Sequence, residues 1–232
     1  MRSIHRQLGF TLIEIAIMIV VVGLLLGGML KSEQLITSGR VFHLISQQDR
    51  IKGAYLGFYD RFRALPGDYS QAKANIAGVS GCGGNGNGDG RIEDAEAAPP
   101  SEEYLLVWEH LSKSGFIDGS YTCGSSNSAN TMPTNAFGMP LELAWDADYA
   151  SSGLISSTAR HNLKTGSQIP SNVLAEIDRK IDDGNATTGK FRFSKYDGGT
   201  GVPDPARCYN ATGPGEWKSV EPEANCGAAS LL

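Results

Sequence analysis

Hydrophobic residues form one uninterrupted run near the start of the chain, from Phe10 to Leu30, in which only Thr11 and Glu14 are polar. A helix of about 20 such residues is long enough to cross the hydrocarbon core of a bilayer. A carboxylate at the centre of a membrane helix costs roughly 2.5 to 3.5 kcal/mol. The pattern therefore predicts a membrane-spanning helix and leaves the position of Glu14 to be explained.

The residues that flank this run indicate its orientation. The segment before it includes Arg2 and Arg6 and no acidic residue, and basic residues keep their end of a membrane helix in the cytoplasm. We therefore expect everything after Lys31 to lie outside the cytoplasm. A secretory signal that is cleaved after the run, near Gly27 and Gly28, is the alternative.

Beyond the apolar run, hydrophobic residues return at steps of three and four, which is the period of an α-helix. They are Val41, Leu44, Ile51, Tyr55, Phe58, Phe62 and Leu65, with Gln48 in the gap of the series. Pro66 ends the pattern, because a helix interior rejects proline. We therefore predict one helix of about 55 residues, apolar in its first half and amphipathic over residues 31–65.

Two later segments carry the signals of helix ends. The segment PPSEEYLLVWEHLSKSG has Ser101 as a candidate N-cap and Gly115 after its last turn, which predicts a helix between them. The segment PSNVLAEIDRKIDDG starts at Ser171 and stops at Gly184. It predicts a second helix of the same kind.

Two further segments alternate hydrophobic and polar residues, which is the period of a β-strand. PLELAWD places Leu141, Leu143 and Trp145 on one face, and we expect a strand that is half buried, on that face. GKFRFSKY places Phe191 and Phe193 on one face and polar residues on the other. We expect a second strand there, with a solvated polar face.

The motif G-F-T-L-I-E at residues 9–14, with a short basic leader before it and an apolar helix behind it, resembles the N terminus of the type IV prepilin family. That family includes pilins and the pseudopilins of type II secretion. Its prepilin peptidase, a membrane-embedded aspartyl peptidase, cuts after the glycine and methylates the new N terminus. The resemblance implies a cut between Gly9 and Phe10, an N-methylated Phe10, and Glu14 as the fifth mature residue.

The resemblance also implies a fold and a division of the chain. The fold is α+β and pilin-like: a long N-terminal helix packed on a small antiparallel sheet, with a loop-rich, disulfide-containing head. The segments WEHLSKSGFIDGSY and IDRKIDDGNATTGKFR are similar to stretches of large prepilin-like proteins. The expected parts are a leader at 1–9, a membrane and filament-core helix at 10–30, its amphipathic continuation at 31–65, and a head at 66–232.

Assembly offers a physical reason for Glu14. Once Phe10 carries a free amine, Glu14 of one subunit can pair with the amine of a neighbour. Two unit charges 4 Å apart attract by about 4 kcal/mol at an effective dielectric constant near 20, which is comparable to the cost of burying the carboxylate. The alternative is a plain membrane anchor, in which Glu14 lies only about 6 Å along the helix axis from Phe10 and reaches the head groups.

Composition limits the function classes. The chain has 232 residues and a formal net charge of −5, which becomes −7 once a leader with Arg2 and Arg6 is removed. This charge disfavours binding to nucleic acid, which attracts clustered lysines and arginines. The head has a size that fits one domain. Because the chain contains 29 glycines, we expect many loops.

The four cysteines, Cys82, Cys123, Cys208 and Cys226, all lie beyond the apolar run, and we expect them to be oxidised. Of the three possible pairings, Cys82 with Cys123 and Cys208 with Cys226 closes the shortest loops, and we expect this one. The resemblance adds that many pilins have a disulfide-closed C-terminal loop on the exposed surface. A zinc site is the competing interpretation, but no Cys-x-x-Cys pair is present.

The segment NGNGDGRIEDAE, residues 85–96, fits the calcium-loop pattern D-x-[DN]-x-[DN]-G-x5-E at all but its first position. The predicted calcium ligands are Asn85, Asn87, Asp89 and Glu96 through their side chains, Arg91 through its carbonyl, and Glu93 through a water molecule. Calcium takes about six to eight oxygens, and Gly90 allows the sharp turn. Asn85 stands where the pattern prefers aspartate, which weakens the site. A glycine-rich surface loop is the alternative, because Asn and Asp are common in turns.

The sequence favours a structural role. We expect a subunit of a type IV pilus-like filament or of a type II secretion pseudopilus, which polymerises through its N-terminal helix. Its partners are then the prepilin peptidase, the bacterial inner membrane before assembly, and copies of itself or other pilins afterwards. The mature subunit would be periplasmic or extracellular.

Two other function classes are weighed against this one. The first is a membrane-anchored or secreted calcium-binding adhesion module that does not polymerise. The second is an enzyme, for which the chain offers neither Gly-x-Ser-x-Gly nor His-Glu-x-x-His. His43, His110 and His161 lack the spacing of metal ligands. We therefore expect no catalytic activity.

Overall fold

The computed structural model describes residues 10–93, 102–124, 130–150, 157–199 and 201–232. These residues form an α+β fold with a long N-terminal helix and a small antiparallel sheet of four strands. Two disulfides cross-link the loops. The predicted fold class is confirmed in these features.

The chain divides into two compact units, one that ends at Gly39 and one that runs from Arg40 to Leu232. Helix α1, Leu12–Phe62, contributes to both. In the first unit its large hydrophobic side chains between Leu12 and Met29 are all exposed. The helix is long and apolar enough to cross a membrane, with a mean hydropathy of 2.6 over its most apolar stretch.

In the second unit, α1 buries one face. Five members of the predicted series are buried, namely Val41, Leu44, Ile51, Tyr55 and Phe58. Gln48, in the gap of that series, is buried with them. The helix ends at Phe62, three residues earlier than predicted, because Arg63 has a φ of 53°. A right-handed helix cannot continue through that left-handed conformation.

Within the described ranges four further α-helices follow: α2, Ala72–Asn75; α3, Glu103–Lys113; α4, Ser171–Ile181; and α5, Pro205–Cys208. Helices α3 and α4 confirm the two that the sequence predicts. Gly115 follows α3 with a φ of 80°, a conformation that glycine adopts readily after a helix. The predicted N-cap Ser101 lies outside the described residues. A short 3₁₀ turn covers Gly81–Gly83.

The four strands are β1, Glu142–Asp146; β2, Arg160–Lys164; β3, Phe191–Phe193; and β4, Ala228–Leu231. Their order in the sheet is β1-β2-β4-β3, and every neighbouring pair is antiparallel. Strands β1 and β3 are the two that the sequence predicts. Strands β2 and β4 were not predicted, although they form the centre of the sheet.

Strand β1 is buried on both faces, which corrects the prediction of one buried face. Leu143 is in the core as expected, but Glu142 and Ala144 on the other face are also buried. Glu142 lies opposite Lys164 of β2, and the two form an ion pair. An ionic partner takes the place of solvent here. Ser194, predicted on the solvated face after β3, is buried as well.

Two large clusters of buried side chains form most of the core among the described residues of the second unit, and a third, small one consists of Tyr149, Ala229 and Leu231. Of the large clusters, one joins α1 and α3 with the first two strands and includes Phe58 and Trp108. The other joins α1 and α4 with β3 and includes Leu44, Leu174 and Phe193. Full burial of one such side chain is worth about 1.5 to 3 kcal/mol. Because α1 contributes to both large clusters, its apolar face has to continue over several turns.

The disulfides are Cys82–Cys123 and Cys208–Cys226, which confirms the predicted pairing. The first joins the 3₁₀ turn to the segment after α3. The second joins the end of α5 to the segment before β4. All four cysteines are consumed in this way, so none is available as a zinc thiolate.

Candidate functional site

The predicted processing and assembly residues lie at the start of α1. Gly9 is outside the described residues, Phe10 precedes the helix, and Glu14 lies in its first turn. Thr11 caps the helix, because its Oγ1 accepts a hydrogen bond from the Glu14 backbone N–H at 3.3 Å. Thr-x-x-Glu is the sequence of a capping box. The sequence interpretation did not use this signal.

The same end of α1 is exposed. Phe10 is 71% exposed and Leu12 is 93% exposed, and Glu14 is exposed between other apolar side chains. The first N–H groups of a helix carry partial positive charge and favour a carboxylate in the first turn. Glu14 therefore has a local role in starting the helix, and a role in assembly would be additional to it.

A second candidate site is the loop of residues 85–93, which Asp68 organises. The buried Asp68 carboxylate accepts hydrogen bonds from three consecutive backbone N–H groups, at 2.6 Å from Gly88, 3.0 Å from Asp89 and 2.9 Å from Gly90. Asp68 lies in the turn after α1, which the sequence interpretation treated only as a break in the helix. Its carboxylate holds three loop amides in one orientation.

Glu103, the first residue of α3, holds the same loop. It is 3% exposed, and its Oε1 accepts a hydrogen bond from the Asn87 N–H at 2.8 Å. Its Oε2 accepts another from the Glu93 N–H at 3.2 Å. Five loop amides are therefore bound by two buried carboxylates that lie outside the predicted calcium pattern.

Both carboxylates have raised pKa values. Burial raises the pKa of Glu103 to about 7, although two backbone hydrogen bonds favour its charged form. Burial also raises the pKa of Asp68; backbone hydrogen bonds oppose this shift, and the nearby charge of Asp89 adds to it. Burial is thus the main cause of both shifts, and neighbouring carboxylates contribute less.

His110 of α3 fastens the start of this loop. Its Nδ1 accepts a hydrogen bond from the Gly67 N–H at 2.9 Å, and its Nε2 lies 3.2 Å from the Gly84 carbonyl oxygen. Nδ1 must be unprotonated to accept, so Nε2 carries the proton and donates it to that carbonyl. Burial lowers the pKa of His110 to about 4, which keeps the ring neutral at neutral pH.

His161 of β2 fastens the end of the loop. Its Nε2 accepts a hydrogen bond from the Ile92 N–H at 3.2 Å, and its ring packs edge-on against Trp145. Burial lowers the pKa of His161 to about 4, although the charge of Asp89 opposes the shift. Both histidines therefore act as neutral hydrogen-bonding groups.

Three of the predicted calcium ligands are linked by hydrogen bonds, although no three of the carboxylates of Asp68, Asp89, Glu93 and Glu103 have oxygens within 4.8 Å of one another. Asn87 donates from Nδ2 to Glu93 Oε2 at 3.3 Å, and its Oδ1 accepts from the Asp89 N–H at 2.8 Å. These three residues adjoin Asp68 and Glu103 through the loop amides described above. Turns in which an Asn or Asp side chain accepts from the amide two residues later are common in loops of either kind.

Of the other three predicted ligands, Asn85 and Arg91 lie among the described residues. Asn85 Oδ1 accepts a hydrogen bond from the Lys73 backbone N–H at 2.9 Å. Arg91 donates its backbone N–H to Asp89 Oδ1 at 2.8 Å. Glu96 lies outside the described residues.

The chemistry of the loop suits a hard divalent cation. Calcium takes carboxylate and amide oxygens, and the loop carries them on Asn87, Asp89 and Glu93. Asp68 and Glu103 precede and follow the loop in the chain, and no spacing rule connects them with it. Burial is the main cause of their raised pKa values, and neighbouring carboxylates add less to the shift.

A second group of carboxylates, Asp178, Asp182 and Asp183, lies at the end of α4. Asp178 is fully buried and accepts hydrogen bonds from Trp217 Nε1 at 2.6 Å and from the Gly184 N–H at 3.1 Å. Burial raises its pKa to about 6. Asp182 and Asp183 accept hydrogen bonds within the turn that leads to β3. The group therefore has a structural use in that turn.

Comparison of the chain with protein-family models, with curated proteins and with solved structures gives no match in any of the three.

Proposed function

We propose that this chain is the precursor of a filament subunit of the type IV pilin and pseudopilin kind. The observation that carries the proposal is helix α1, whose apolar half is exposed while its later half belongs to the core of the second unit. An apolar helix of this length is stable in a bilayer or packed against similar helices. The precursor is anchored with its N terminus in the cytoplasm, and assembly later removes it from the membrane.

Cleavage between Gly9 and Phe10 is the step that turns the anchor into a subunit. It gives Phe10 a free amine, which the peptidase methylates, directly before the N-cap Thr11. The amine of one copy then pairs with Glu14 of the next. This pair is worth about 4 kcal/mol at 4 Å and a dielectric constant near 20, which offsets the roughly 3 kcal/mol cost of the carboxylate in the membrane.

Processing is tested by N-terminal sequencing of the mature protein from the native host. The expected first residue is an N-methylated Phe10, and Gly9→Val should leave the uncut precursor in the membrane. The matched control is the double variant Gly27→Val and Gly28→Val, which blocks a conventional signal site but leaves Gly9 intact. A mature protein that begins after Gly28, or normal processing of Gly9→Val, contradicts the proposal.

The role of Glu14 is tested with two variants that separate charge from helix capping. Glu14→Gln keeps a residue suited to the capping box but removes the charge that pairs with the amine. Thr11→Ala removes the cap hydroxyl but keeps the charge. We expect filament incorporation to fail in Glu14→Gln and to persist in Thr11→Ala, measured on sheared filaments by immunoblot. The reverse result assigns Glu14 to capping alone.

The loop at 85–93 supports a second proposal, that the head binds calcium. Its specific support is that the carboxylates of Asp68 and Glu103 accept hydrogen bonds from the backbone amides of Asn87, Asp89 and Glu93. The Asn87 side chain also contacts the Glu93 carboxylate. When bound, calcium would neutralise these carboxylates and stiffen the loop. An anchored calcium-binding module that never polymerises is the competing function, and it differs from a filament subunit in retaining the leader or losing the segment up to Gly28.

A further inference from the structure

A buried ion triad links the first two strands of the sheet. Lys164 Nζ lies 2.6 Å from Glu142 Oε1 and 2.7 Å from Asp146 Oδ2. Glu142 is the cross-strand partner of Lys164, and Asp146 lies four residues further along β1. Residues at even spacing in a strand share a face, so all three side chains belong to the same face of the sheet.

That face is closed to solvent. Lys164 is 2% exposed, and the intervening residues Ala144 and Asn162 are fully buried. Strand β4 continues the face, with Ala229 opposite Lys164. The Tyr196 ring lies 5.3 Å from Lys164 Nζ. The ammonium group and its two carboxylates are therefore held in contact where bulk water does not compete.

The two oxygens of Asp146 have different surroundings. Oδ1 accepts hydrogen bonds from Asn162 Nδ2 at 3.1 Å and from the Asp148 backbone N–H at 2.8 Å. Oδ2 faces the Lys164 amine. Two fixed donors on one oxygen stabilise the negative charge that develops there when a nucleophile attacks the carboxyl carbon.

The burial of three charged groups in the triad favours a reaction that neutralises an ammonium and a carboxylate. Two carboxylates face one ammonium, and each buried ion has lost its hydration. Burial by itself lowers the pKa of Lys164, but Glu142 and Asp146 outweigh it and hold that pKa above its ordinary value. The resting state is therefore ionic. Conversion of the Lys164 ammonium and the Asp146 carboxylate into a neutral amide removes two of the three charges from the low-dielectric site and leaves the Glu142 carboxylate beside the new amide N–H.

We propose that Lys164 and Asp146 form an intramolecular isopeptide bond, with Glu142 as the group that transfers the proton. One ammonium proton passes directly to Asp146 Oδ2, and the neutral Nζ attacks the carboxyl carbon Cγ. Glu142 takes a second proton from Nζ and delivers it to the leaving oxygen. The Nζ–Cγ bond forms, the Cγ–Oδ2 bond breaks, and one water molecule is released. The step needs no oxidant, reductant or other reactant.

The bond would tie β1 to β2 covalently, in addition to the two disulfides. Unlike Cys82–Cys123 and Cys208–Cys226, this link would survive reducing agents. It also gives Glu142 a reason to be buried beside a lysine that already has Asp146 as a partner. The inference is independent of filament assembly, because it depends only on residues within the sheet.

The test is peptide mapping of the purified full-length protein after reduction and digestion with trypsin. Trypsin does not cut after an acylated lysine, so the expected product joins residues 114–160 to residues 161–179, with a mass one water below their sum. Tandem mass spectrometry locates the branch at Asp146 and Lys164. Recovery of separate peptides 161–164 and 165–179 from the wild-type protein overturns the proposal.

Variants test the role of each group. Lys164→Arg and Asp146→Ala should abolish the branched peptide, and Glu142→Gln should reduce its yield at least tenfold while both bonding residues remain. The matched control is Lys180→Arg, which alters an exposed lysine paired with a glutamate on α4 and should leave the yield unchanged. Full linkage in Glu142→Gln overturns the role of Glu142. The wild-type map decides the bond itself, whether or not a variant folds.

Discussion

At the scale of single residues, His110 is a buried side chain whose structural role could not be inferred from its position in the sequence. It bridges the turn at Gly67 and the loop at Gly84, and both contacts need a neutral ring with one defined tautomer. The folded protein takes up a proton at His110 only near pH 4, whereas an unfolded chain does so near pH 6.5. Acid therefore favours the unfolded chain through this residue.

We predict that His110 contributes stability that is fully present above pH 6.5 and is lost as the pH falls to 4. The shift corresponds to about 3 kcal/mol. The measurement is the difference in unfolding free energy between the wild type and His110→Gln, from urea titrations of the detergent-solubilised chain at several pH values. This difference should shrink by about 3 kcal/mol from pH 7 to pH 4. Carboxylates that titrate over the same range are present in both proteins, so their contribution cancels in the difference.

The control for this experiment is His43→Gln, because His43 is exposed on α1. Its difference from the wild type should be below about 0.5 kcal/mol at each pH, because substitutions at exposed positions without special contacts have small effects. A constant difference for His110→Gln would show that His110 is not a neutral clamp in the folded protein.

At the scale of elements, the disulfide Cys208–Cys226 secures the central strand β4. Cys226 exchanges backbone hydrogen bonds with Ile169 at 3.0 and 3.1 Å, and β4 begins two residues later. Both cysteines of the pair are fully buried. The disulfide and these hydrogen bonds together fix where the C-terminal segment enters the sheet.

Replacing both Cys208 and Cys226 by serine should lower the unfolding free energy by about 3 kcal/mol. The disulfide joins residues 18 apart in the sequence, and closing a loop of that length removes about this much conformational entropy from the unfolded chain. We also expect faster hydrogen exchange at the amides of β4, since its entry point is released. Urea unfolding and exchange mass spectrometry measure the two effects.

The matched control replaces Cys82 and Cys123, which close a separation of 41 residues. By the same chain-entropy relation this change costs about 4 kcal/mol, so global unfolding alone would speed exchange at least as much in this control. Faster exchange of β4 in the Cys208 and Cys226 variant than in the control therefore reports local release of the strand. Equal exchange of β4 in both double variants would contradict the specific role of Cys208–Cys226.

At the scale of the whole molecule, the loop at 85–93 gathers contacts from segments far apart in the chain. It is held by Asp68 after α1, by Glu103 and His110 of α3, and by His161 of β2. Anything that changes the loop therefore acts on several elements at once. The pKa of Glu103, which burial raises to about 7, couples this assembly to pH. If the proposed calcium ion binds, protons and calcium compete for this carboxylate.

If calcium binds here, it should raise the melting temperature of the full chain, and more at pH 8 than at pH 6. Glu103 is largely ionised in the folded protein only above pH 7, so a cation displaces fewer protons there. With free calcium at several times the Kd of an extracellular site, around 10⁻⁴ to 10⁻³ M, the gain is about 1 kcal/mol. Calorimetry with calcium and then with chelator measures it.

Two variants separate the ligand sets. Asp89→Ala should remove the calcium response, whereas Asn85→Asp should leave it unchanged, because the Asn85 side chain already accepts from Lys73. Tighter binding in Asn85→Asp would favour the ligand set predicted from the sequence pattern. If several millimolar calcium at pH 8 does not change the melting temperature, the loop does not bind calcium and is organised by the protein's own carboxylates.

The sequence predicts an element correctly when its signals lie among neighbouring residues, and fails when the partners of its residues lie on distant segments. Helices α1, α3 and α4 and strands β1 and β3 have periodic hydrophobic residues or end signals within a few neighbours. Strand β2 reads Arg-His-Asn-Leu-Lys, which looks like a polar loop, because Lys164 and His161 find their partners on other segments. Strand β4 has four consecutive buried residues, which show no alternation.

The sequence alone determined the apolar helix that contains Glu14, the amphipathic continuation and the disulfide pairing, whereas the fold class followed from the resemblance of its N terminus to type IV prepilins. The first three depend on spacing along the chain, which sets helix faces and loop-closure entropy without knowledge of the rest of the fold. Only the tertiary structure decided that Asp68 and Glu103 bind the loop at 85–93 and that Lys164 lies between Glu142 and Asp146. The reason is that buried charges are tolerated only where distant segments supply partners, and no local pattern records which segments will meet.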